Sequence, residues 1–542
     1  MMPTSGNRQD LVADRETLER IFHRPESDHS RLVLTKYMEQ ILFGLHDFLR
    51  ENVGITEERS LKTLAESFTA STIAPTPVKK LADVISEIIE RIAPHAVNVS
   101  SPYFIGHMTS AIPFFMVHLN TIVTALNQNP VKLETSKVVS VYERQVLAKV
   151  HRMVFDFDPA FYDRHVQDPD STLGSFVEDG TLANLSALWV ARNRLLGPSA
   201  GGASVEEDGL ASAMMERGLQ RIVVLVSELA HYSIRKAAGV LGLGNRAVIP
   251  IAVDRDNRMD LKVLRQTLQD LEKEPGTAVL CVIGIAGTTE TGSVDPLSAI
   301  ADLCDAYGIH FHVDAAWGGP VRLSKKHCGL LEGIQRADSV TVDGHKQFYL
   351  PMSNGMVFFK DPRAMDSVAY HAAYINRPGS VDLGIRSLSG SRCATSLVLG
   401  SALDIMGAGG YELLIDHGID TARAFADEIR RRPLFELVTP PELNILTYRI
   451  APHQLSGTLD ETERRQQLNR INVRLQRLQR EAGNSFVSRT TLRRSGRPDT
   501  VVLRSVIMNL RTTPQILQAI LDEQESLYRD KIAPQLPLET DG

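Results

Sequence analysis

Cysteine is scarce in this chain, with four residues among 542. They are Cys281, Cys304, Cys328 and Cys393, and no two of them share the Cys-x-x-Cys spacing of metal and redox motifs. We therefore expect no metal site, and we interpret the cysteines as reduced thiols, which are typical of a cytoplasmic protein.

Long apolar runs and a strong charge of either sign are also missing. No run approaches the roughly 20 apolar residues that span a bilayer, and the N-terminal stretch MMPTSGNRQDLVADRETLER has no apolar signal segment. A net charge of -6 gives no general attraction to nucleic acid or to an anionic membrane. We expect a cytoplasmic protein that has neither as a partner.

The remaining composition is ordinary for a globular protein, at 43% hydrophobic and 23% charged residues. A chain of this length is expected to form two or three domains. We predict a flexible arm at 1–30, a helical N-terminal segment at 31–137, a large α/β domain at 138–408 and a small α+β domain at 409–542.

Apolar, β-prone runs alternate with helical patterns through the large domain. Examples of the runs are RIVVLVSE, AVLCVIGIAGTT and IHFHVDAA. This alternation predicts a mostly parallel sheet with helices on both faces. In the small domain we predict strands at FELVT, NILTYRI and TVVLRSVIMN, and an arginine-rich helix near 462–481. That helix has an apolar stripe, so we interpret its arginines as a solvated face rather than a nucleic-acid surface.

One stretch of the large domain, residues 309–346, carries the chemistry. It places Asp314 at the end of one apolar strand and Lys346 at the end of the next. In an open α/β sheet, ligands bind at the carboxyl ends of the strands. Pyridoxal chemistry needs a lysine amine to hold the aldehyde and a carboxylate to keep the pyridine nitrogen protonated. The pair therefore predicts a pyridoxal 5'-phosphate site.

The motifs HVDAAWGG and ADSVTVDGHK in this stretch closely resemble those of the group II pyridoxal phosphate-dependent amino-acid decarboxylases. The resemblance implies that Lys346 binds the aldehyde, that Asp314 pairs with the ring nitrogen and that His345 helps to seat the cofactor. It also implies the fold type I, aspartate aminotransferase-like architecture and a homodimer packed through the helical N-terminal segment. Gln347 stands where an aromatic residue is more usual, which places the chain nearer to bacterial aspartate 1-decarboxylase-like and glutamate decarboxylase-like members.

The phosphate is expected at the start of a helix, where Gly180 and Thr181 supply free backbone amides. The family usually has small neutral residues just before this point, whereas this chain has Glu178 and Asp179. A carboxylate facing a phosphate would repel it by about 1 kcal/mol in a partly wet site. The two side chains must therefore turn away or pair with a cation.

The resemblance implies further site residues. His231 corresponds to a histidine that stacks on the pyridine ring, and Thr288 or Thr289, in the loop GTTETGSVDP, is expected to reach the cofactor. On the substrate side, the resemblance points to His107, Asn127 and Arg504, with Arg504 gripping a substrate carboxylate through its planar guanidinium.

A mobile lid is expected at 370–391, because this stretch is glycine-rich and lacks apolar periodicity. Many family members carry a proton-donating tyrosine on this loop, but this chain has none between Asn376 and Arg392. Tyr370 and Tyr374 lie only at its base, and if neither reaches the substrate, His231, water or Lys346 is expected to supply the proton.

The predicted function is α-decarboxylation of a small acidic amino acid, with aspartate first, giving β-alanine for coenzyme A synthesis. Glutamate, giving 4-aminobutyrate, is the alternative, followed by cysteine sulfinate, because one arginine recognises any distal anion and pocket depth decides chain length. An aminotransferase or desulfurase would share Lys346 and Asp314. A non-enzymatic scaffold would result if Glu178 and Asp179 excluded the phosphate.

Overall fold

The computed structural model describes residues 14–15, 28–51, 61–197, 202–371, 380–456 and 460–537. Most of the predicted arm at 1–30 lies outside these ranges. The domain limits at 30/31, 137/138 and 408/409 stay predictions.

The N-terminal part of the described chain is helical, as predicted for the segment at 31–137. Its helices are α1 (Asp28–Glu51), α2 (Leu61–Ala65), α3 (Leu81–Glu87) and α4 (Phe115–Leu126). Two more, α5 (Val138–Phe155) and α6 (Pro159–His165), lead into the large sheet. Helix α5 is buried along one face, whereas α1 leaves large apolar side chains such as Phe43 exposed.

A seven-stranded sheet forms the centre of the described structure. Its strands are β1 (Gly174–Val177), β2 (Arg221–Ser227), β3 (Val248–Ile251), β4 (Thr277–Ile285), β5 (His310–Asp314), β6 (Ser339–Asp343) and β7 (Gly355–Phe359). The order is β1-β7-β6-β5-β4-β2-β3, and β7 runs antiparallel to both of its neighbours while the other pairs are parallel. The predicted mostly parallel α/β sheet is confirmed.

Helices connect the strands of this sheet. They are α7 (Gly180–Leu195), α8 (Gly209–Glu216), α9 (Ser233–Val240), α10 (Leu261–Glu272) and α11 (Leu297–Tyr307). The central strands β5 and β6 are almost completely buried, which explains their continuous apolar character. Because Asp314 pairs in register with Thr341 of β6, the carboxyl ends of both strands meet at one edge. That edge receives the functional side chains.

A long helix, α12 (Ser396–Arg431), follows the sheet and is kinked at Gly407, where φ is 61° and ψ is 176°. Part of it is apolar enough, by length and composition alone, to span a membrane. The expectation that no run approaches such a length is therefore wrong. The apolar side chains have a packing role: Val398, Leu399 and Tyr411 are buried in the main core, and Phe425 in the core of the small sheet.

The small sheet is antiparallel and has four strands in the order β10-β11-β9-β8. The strands are β8 (Phe435–Thr439), β9 (Ile445–Ile450), β10 (Ser488–Leu492) and β11 (Thr500–Val506), with helices α13 (Glu461–Ala482) and α14 (Pro514–Leu527) beside them. The predicted strands β8, β9 and β11 are confirmed, as is the apolar stripe of α13, where Leu468, Ile471 and Leu475 are buried. Sequence reasoning missed β10 because its residues, SRTTL, are mostly polar.

Candidate active site

A cavity of about 180 Å³ lies at the carboxyl ends of β5 and β6, beside the N-terminus of α7. Its wall contains six of the residues predicted from the sequence, namely Gly180, Thr181, His231, Asp314, His345 and Lys346. The fold therefore brings together residues that are up to 166 positions apart, the separation of Gly180 and Lys346.

Lys346 reaches the cavity from the turn that follows β6. Its Nζ lies 2.9 Å from Oδ2 of Asp343, the last residue of β6. The neighbouring His345 donates from Nδ1 to the carbonyl of Asn354 over 3.2 Å. His345 thus connects the turn to the segment before β7. Of these two residues, Lys346 is the one that pairs closely with a carboxylate.

Asp314 is a buried carboxylate in the cavity wall, 8% exposed. It accepts two hydrogen bonds, to Oδ2 from Asn184 Nδ2 (2.9 Å) and to Oδ1 from the Ala316 amide (3.1 Å). Among the described residues, no cationic side chain lies within 4.0 Å of it. A buried carboxylate is costly without a positive partner. A protonated pyridine nitrogen in the cavity would supply that partner, so the residue fits the cofactor.

Asn184, on the first turns of α7, links Asp314 to its surroundings. Its second amide hydrogen bond goes to Ser233 Oγ (3.1 Å). Its Oδ1 accepts from Thr341 Oγ1 (2.8 Å) and from His312 Nε2 (3.0 Å). All four hydrogen-bonding positions of the amide are used, which fixes its orientation. Sequence reasoning assigned no role to Asn184, Thr341 or His312.

His312 is held neutral in this network. Because Asn184 Oδ1 can only accept, His312 Nε2 carries the proton, and Nδ1 accepts from Ser339 Oγ over 2.8 Å. His310 Nε2 in turn donates to Ser339 Oγ over 2.8 Å. Burial lowers the pKa of His312 to about 4 and that of His310 to about 3. Neither imidazole therefore competes as a cation for Asp314 at neutral pH.

Replacing Asn184 by alanine is expected to weaken cofactor binding. Asp314 loses one N–H donor, and a hydrogen bond to a charged group corresponds to about 10- to 100-fold in an equilibrium constant. The dissociation constant of pyridoxal 5'-phosphate, measured by titrating the cofactor-free protein, should rise by that factor.

Asn193→Ala is the matched control. Asn193 lies on the same helix, is equally buried, and donates to the carbonyl of Ser367 (2.8 Å) away from the cavity. This variant should lose thermal stability and keep the wild-type dissociation constant. Wild-type cofactor affinity in Asn184→Ala would show that Asn184 does not position Asp314.

His231 lies across the cavity, in the loop before α9. Its Nδ1 accepts from the backbone amide of Ser233 over 3.3 Å, so Nε2 is the nitrogen that carries a proton. Burial lowers the pKa of His231, while the negative charge of Asp314 opposes the change. A neutral imidazole with a proton on Nε2 thus faces the cavity, and its stacking on a pyridine ring stays a prediction.

The N-terminus of α7, at the other end of the cavity, is capped by the side chain of Asp179. Asp179 Oδ1 accepts from the amide of Leu182 over 3.0 Å. The amides of Gly180 and Thr181 then remain without an intrahelical acceptor beside the cavity. Glu178 is exposed and accepts from Ser389 Oγ over 3.2 Å. Both carboxylates therefore have other partners, and the expected anion-binding amides are open.

Thr288 does not reach the cavity. It is buried within its own loop, where its hydroxyl pairs with Thr291 Oγ1 (2.6 Å) and accepts from the amide of Ser293 (3.2 Å). The next residue, Thr289, lines the cavity instead. Neighbouring residues of an extended loop face opposite sides, so one of two adjacent threonines faces the cavity and the other does not. The sequence Thr-Thr does not indicate which of the two it is.

The three predicted substrate residues lie outside the cavity wall. Asn127 is exposed and ends α4 in a left-handed conformation, with φ of 46°. His107 is exposed, and its Nδ1 lies 3.0 Å from Thr109 Oγ1. Partial desolvation lowers the pKa of His107, and the positive charges of Arg504 and Lys346 lower it further. His107 and Arg504 therefore lie near the cavity, whereas no contact connects Asn127 to it.

Two residues at the ends of the predicted lid, Tyr370 and Arg392, have structural partners. Arg392 forms a buried ion pair with Glu143, with one N–O distance of 2.8 Å. Tyr370 donates its hydroxyl proton to Glu206, away from the cavity wall. Tyr374 and residues 372–379 of the predicted lid lie outside the described residues.

Comparison with known proteins identifies the family. The model named "Pyridoxal-dependent decarboxylase conserved domain" matches residues 67–451. The chain is 43% identical over 524 residues to "Aspartate 1-decarboxylase" of Aliivibrio fischeri (strain ATCC 700601 / ES114), covering 95% of each protein. It is 30% identical over 447 residues to "L-2,4-diaminobutyrate decarboxylase" of Rhizobium meliloti (strain 1021), covering 82% of this chain and 81% of that protein.

The fold has close counterparts among solved structures. The crystal structure of mouse CSAD in apo form has a TM-score of 0.79 and 25% sequence identity, covering 92% of this chain and 99% of that one. The predicted fold type, cofactor and family are confirmed. The chain belongs to the pyridoxal-dependent decarboxylase family and is a carboxy-lyase that uses pyridoxal 5'-phosphate to decarboxylate an amino acid.

Proposed function

We propose that this enzyme removes the α-carboxylate of L-aspartate to give β-alanine. The observation that carries the proposal is Arg504, on β11, a partly buried cation that has no carboxylate within 4.0 Å among the described residues. Its Nε atom is buried without a hydrogen-bond partner. A distal carboxylate of the substrate would satisfy this guanidinium through a bidentate contact.

The surroundings of Arg504 support an anionic ligand. Burial lowers the pKa of Arg504 to about 10, and the nearby Glu290 opposes the change. The guanidinium therefore remains charged at neutral pH. The 43% identical relative named as an aspartate 1-decarboxylase is consistent with a short acidic substrate. Glutamate and cysteine sulfinate carry the same distal charge and remain the alternatives within this class.

In this proposal the cofactor supplies the electron-accepting ring that makes loss of the carboxylate feasible. Lys346 would hold its aldehyde and Asp314 its ring nitrogen, as the amide network around Asn184 keeps that carboxylate in place. The amides of Gly180 and Thr181 would bind its phosphate. His231 would cover the ring face and hold, on Nε2, the proton that Cα takes up.

A second candidate is a substrate with a distal amine. Glu290 lies close enough to Arg504 to affect its pKa, and it accepts from Thr490 Oγ1 over 3.3 Å. An ionised Glu290 would favour an ammonium group, as in L-2,4-diaminobutyrate. Burial raises the pKa of Glu290, however, which disfavours its ionised form and in that direction favours the acidic substrate.

Replacing Arg504 by lysine tests the substrate assignment. The charge remains but the two-pronged contact is lost, so the KM for L-aspartate should rise by about tenfold or more with a smaller change in kcat. Steady-state kinetics with L-aspartate, L-glutamate, cysteine sulfinate and L-2,4-diaminobutyrate measure the effect. Wild-type enzyme should give its highest kcat/KM with L-aspartate.

Arg489→Lys is the matched control, because Arg489 lies on the adjacent strand β10 and donates to the carbonyl of Val473. Its kinetics should equal those of the wild type. An unchanged KM in Arg504→Lys, or a highest kcat/KM with L-2,4-diaminobutyrate, would contradict the assignment.

We also propose a cytoplasmic homodimer. Large apolar side chains of the N-terminal segment are exposed, among them Phe43 (71%), Phe68 (67%) and Ile73 (99%). Apolar surface of this kind favours a protein partner. Light scattering coupled to gel filtration should give twice the chain mass, and a Phe43→Asp, Phe68→Asp variant should give a larger monomer fraction. A monomeric wild-type enzyme with full activity would contradict the proposal.

A further inference from the structure

Asp343, the last residue of β6, is a buried carboxylate at the cavity wall that the proposed reaction does not use. It is 1% exposed. Its Oδ2 lies 2.9 Å from Lys346 Nζ, whereas its Oδ1 is buried and has no hydrogen-bond partner among the described residues. A buried acceptor without a hydrogen-bond partner is destabilising, and more so when the group is charged. A ligand that brings a proton to Oδ1 would remove that destabilisation.

This carboxylate lies against the first residue of α7. A Cβ atom added to Gly180 would be 2.8 Å from Asp343 Oδ2 and 3.2 Å from Oδ1. A side chain at position 180 would press on this carboxylate, which therefore lies beside the helix terminus that is proposed to bind the cofactor phosphate. Two anionic groups then share one site, and they cannot both be fully ionised without strong repulsion.

We infer that Asp343 makes the phosphate subsite selective for a phosphate that still carries a proton, whose P–O–H donates to Asp343 Oδ1. The inference rests on the proposed binding of the phosphate at Gly180 and Thr181. A phosphate monoester loses its second proton with a pKa of about 6. Binding near neutral pH therefore takes up one proton, which the phosphate carries, and affinity falls as pH rises.

The other charged groups around Asp343 do not remove this requirement. Lys346 is its close cationic partner, but it contacts Oδ2 and leaves Oδ1 without a donor, whether or not the ligand has an aldehyde. His345 Nε2 lies 3.7 Å from Oδ2, and His231 across the cavity senses the charges of Asp314, Asp343 and Asp179. The described residues facing the cavity thus include three aspartates in addition to the incoming phosphate.

Binding of pyridoxine 5'-phosphate to the cofactor-free protein tests the inference. This ligand has no aldehyde, so a covalent bond to Lys346 does not contribute to the measured affinity. Its dissociation constant should rise about tenfold per pH unit between about pH 7 and pH 8.5, as expected when one proton is taken up. Pyridoxine, which lacks the phosphate, corrects for titration of the ring. After that correction, a pH-independent dissociation constant would overturn the inference.

Asp343→Asn should change both the slope and the affinity. Its amide can donate to the phosphate dianion, so the pH dependence should flatten and binding at pH 8 should tighten by about tenfold or more. Asp338→Asn, at the other end of β6 and outside the cavity wall, should behave as the wild type. Weaker binding by the Asp343→Asn variant, in a protein whose circular dichroism matches the wild type, would overturn the inference.

Phosphorus NMR of wild-type protein gives a test that does not depend on a variant. The chemical shift of bound pyridoxine 5'-phosphate at pH 7.5 should be that of the monoanion, and the shift of a dianion would contradict the inference. This test is independent of the proposed substrate. The substrate is identified from the products of the cofactor-loaded enzyme, so either proposal can fail without the other.

Discussion

Lys346→Ala is expected to abolish decarboxylation while leaving the protein folded. Loss of a residue that bonds covalently to the reacting group typically costs on the order of 10³- to 10⁶-fold in kcat. Lys346→Arg should be as inactive, because a guanidinium does not form the bond to the aldehyde. Activity assays in saturating pyridoxal 5'-phosphate measure the loss, and thermal unfolding checks the fold.

Borohydride reduction followed by peptide mapping locates the lysine that holds the cofactor. In wild-type enzyme the tag should lie on the peptide containing Lys346. Lys360→Ala, which removes a lysine just after β7 and outside the cavity wall, should retain both the tag and the activity. A tagged peptide in Lys346→Ala would show that another lysine carries the cofactor.

Asp314→Asn is expected to have the second largest effect. This carboxylate is the proposed negative partner of the ring nitrogen, and removal of one preorganised electrostatic partner costs about 10²- to 10³-fold in kcat. The pH dependence of the visible spectrum of the cofactor-loaded variant should also change, because the ring nitrogen loses its proton more easily.

Asp295→Asn is the control for Asp314→Asn. It distinguishes the effect of losing the Asp314 carboxylate from the effect of losing a buried carboxylate elsewhere in the protein. Asp295 is buried and accepts from the amides of Met259 (2.7 Å) and Ile285 (2.9 Å), outside the cavity wall. The control should reduce stability and leave the spectrum unchanged. A fully active Asp314→Asn enzyme would contradict the assigned role.

The sheet and the two central residues follow from local sequence features. Residues of β5 and β6 form short apolar runs, and a functional residue at the end of such a run must lie at the carboxyl edge of a parallel sheet. Asp314 and Lys346 were predictable for that reason. The helix start at Gly180 was predictable as well, since small and polar residues precede a helical pattern there.

Contacts between distant parts of the chain were not predictable. The Asn184 amide contacts His312, Asp314 and Thr341, which are 128, 130 and 157 positions away, and no local pattern in the sequence encodes those pairings. The choice between Thr288 and Thr289 depends on how one loop turns, and the unpaired oxygen of Asp343 depends on the approach of α7. These features result from packing rather than from periodicity.

The fate of each carboxylate of L-aspartate tests the central claim most directly. Cofactor-loaded enzyme would be given L-aspartate labelled with carbon-13 at C1 or at C4, and the carbon dioxide and amino acid formed would be measured by mass spectrometry. The account predicts label in carbon dioxide from C1 alone, with one β-alanine formed per carbon dioxide. Labelled carbon dioxide from C4 with alanine as product, stoichiometric keto acid, or no product from L-aspartate would contradict it.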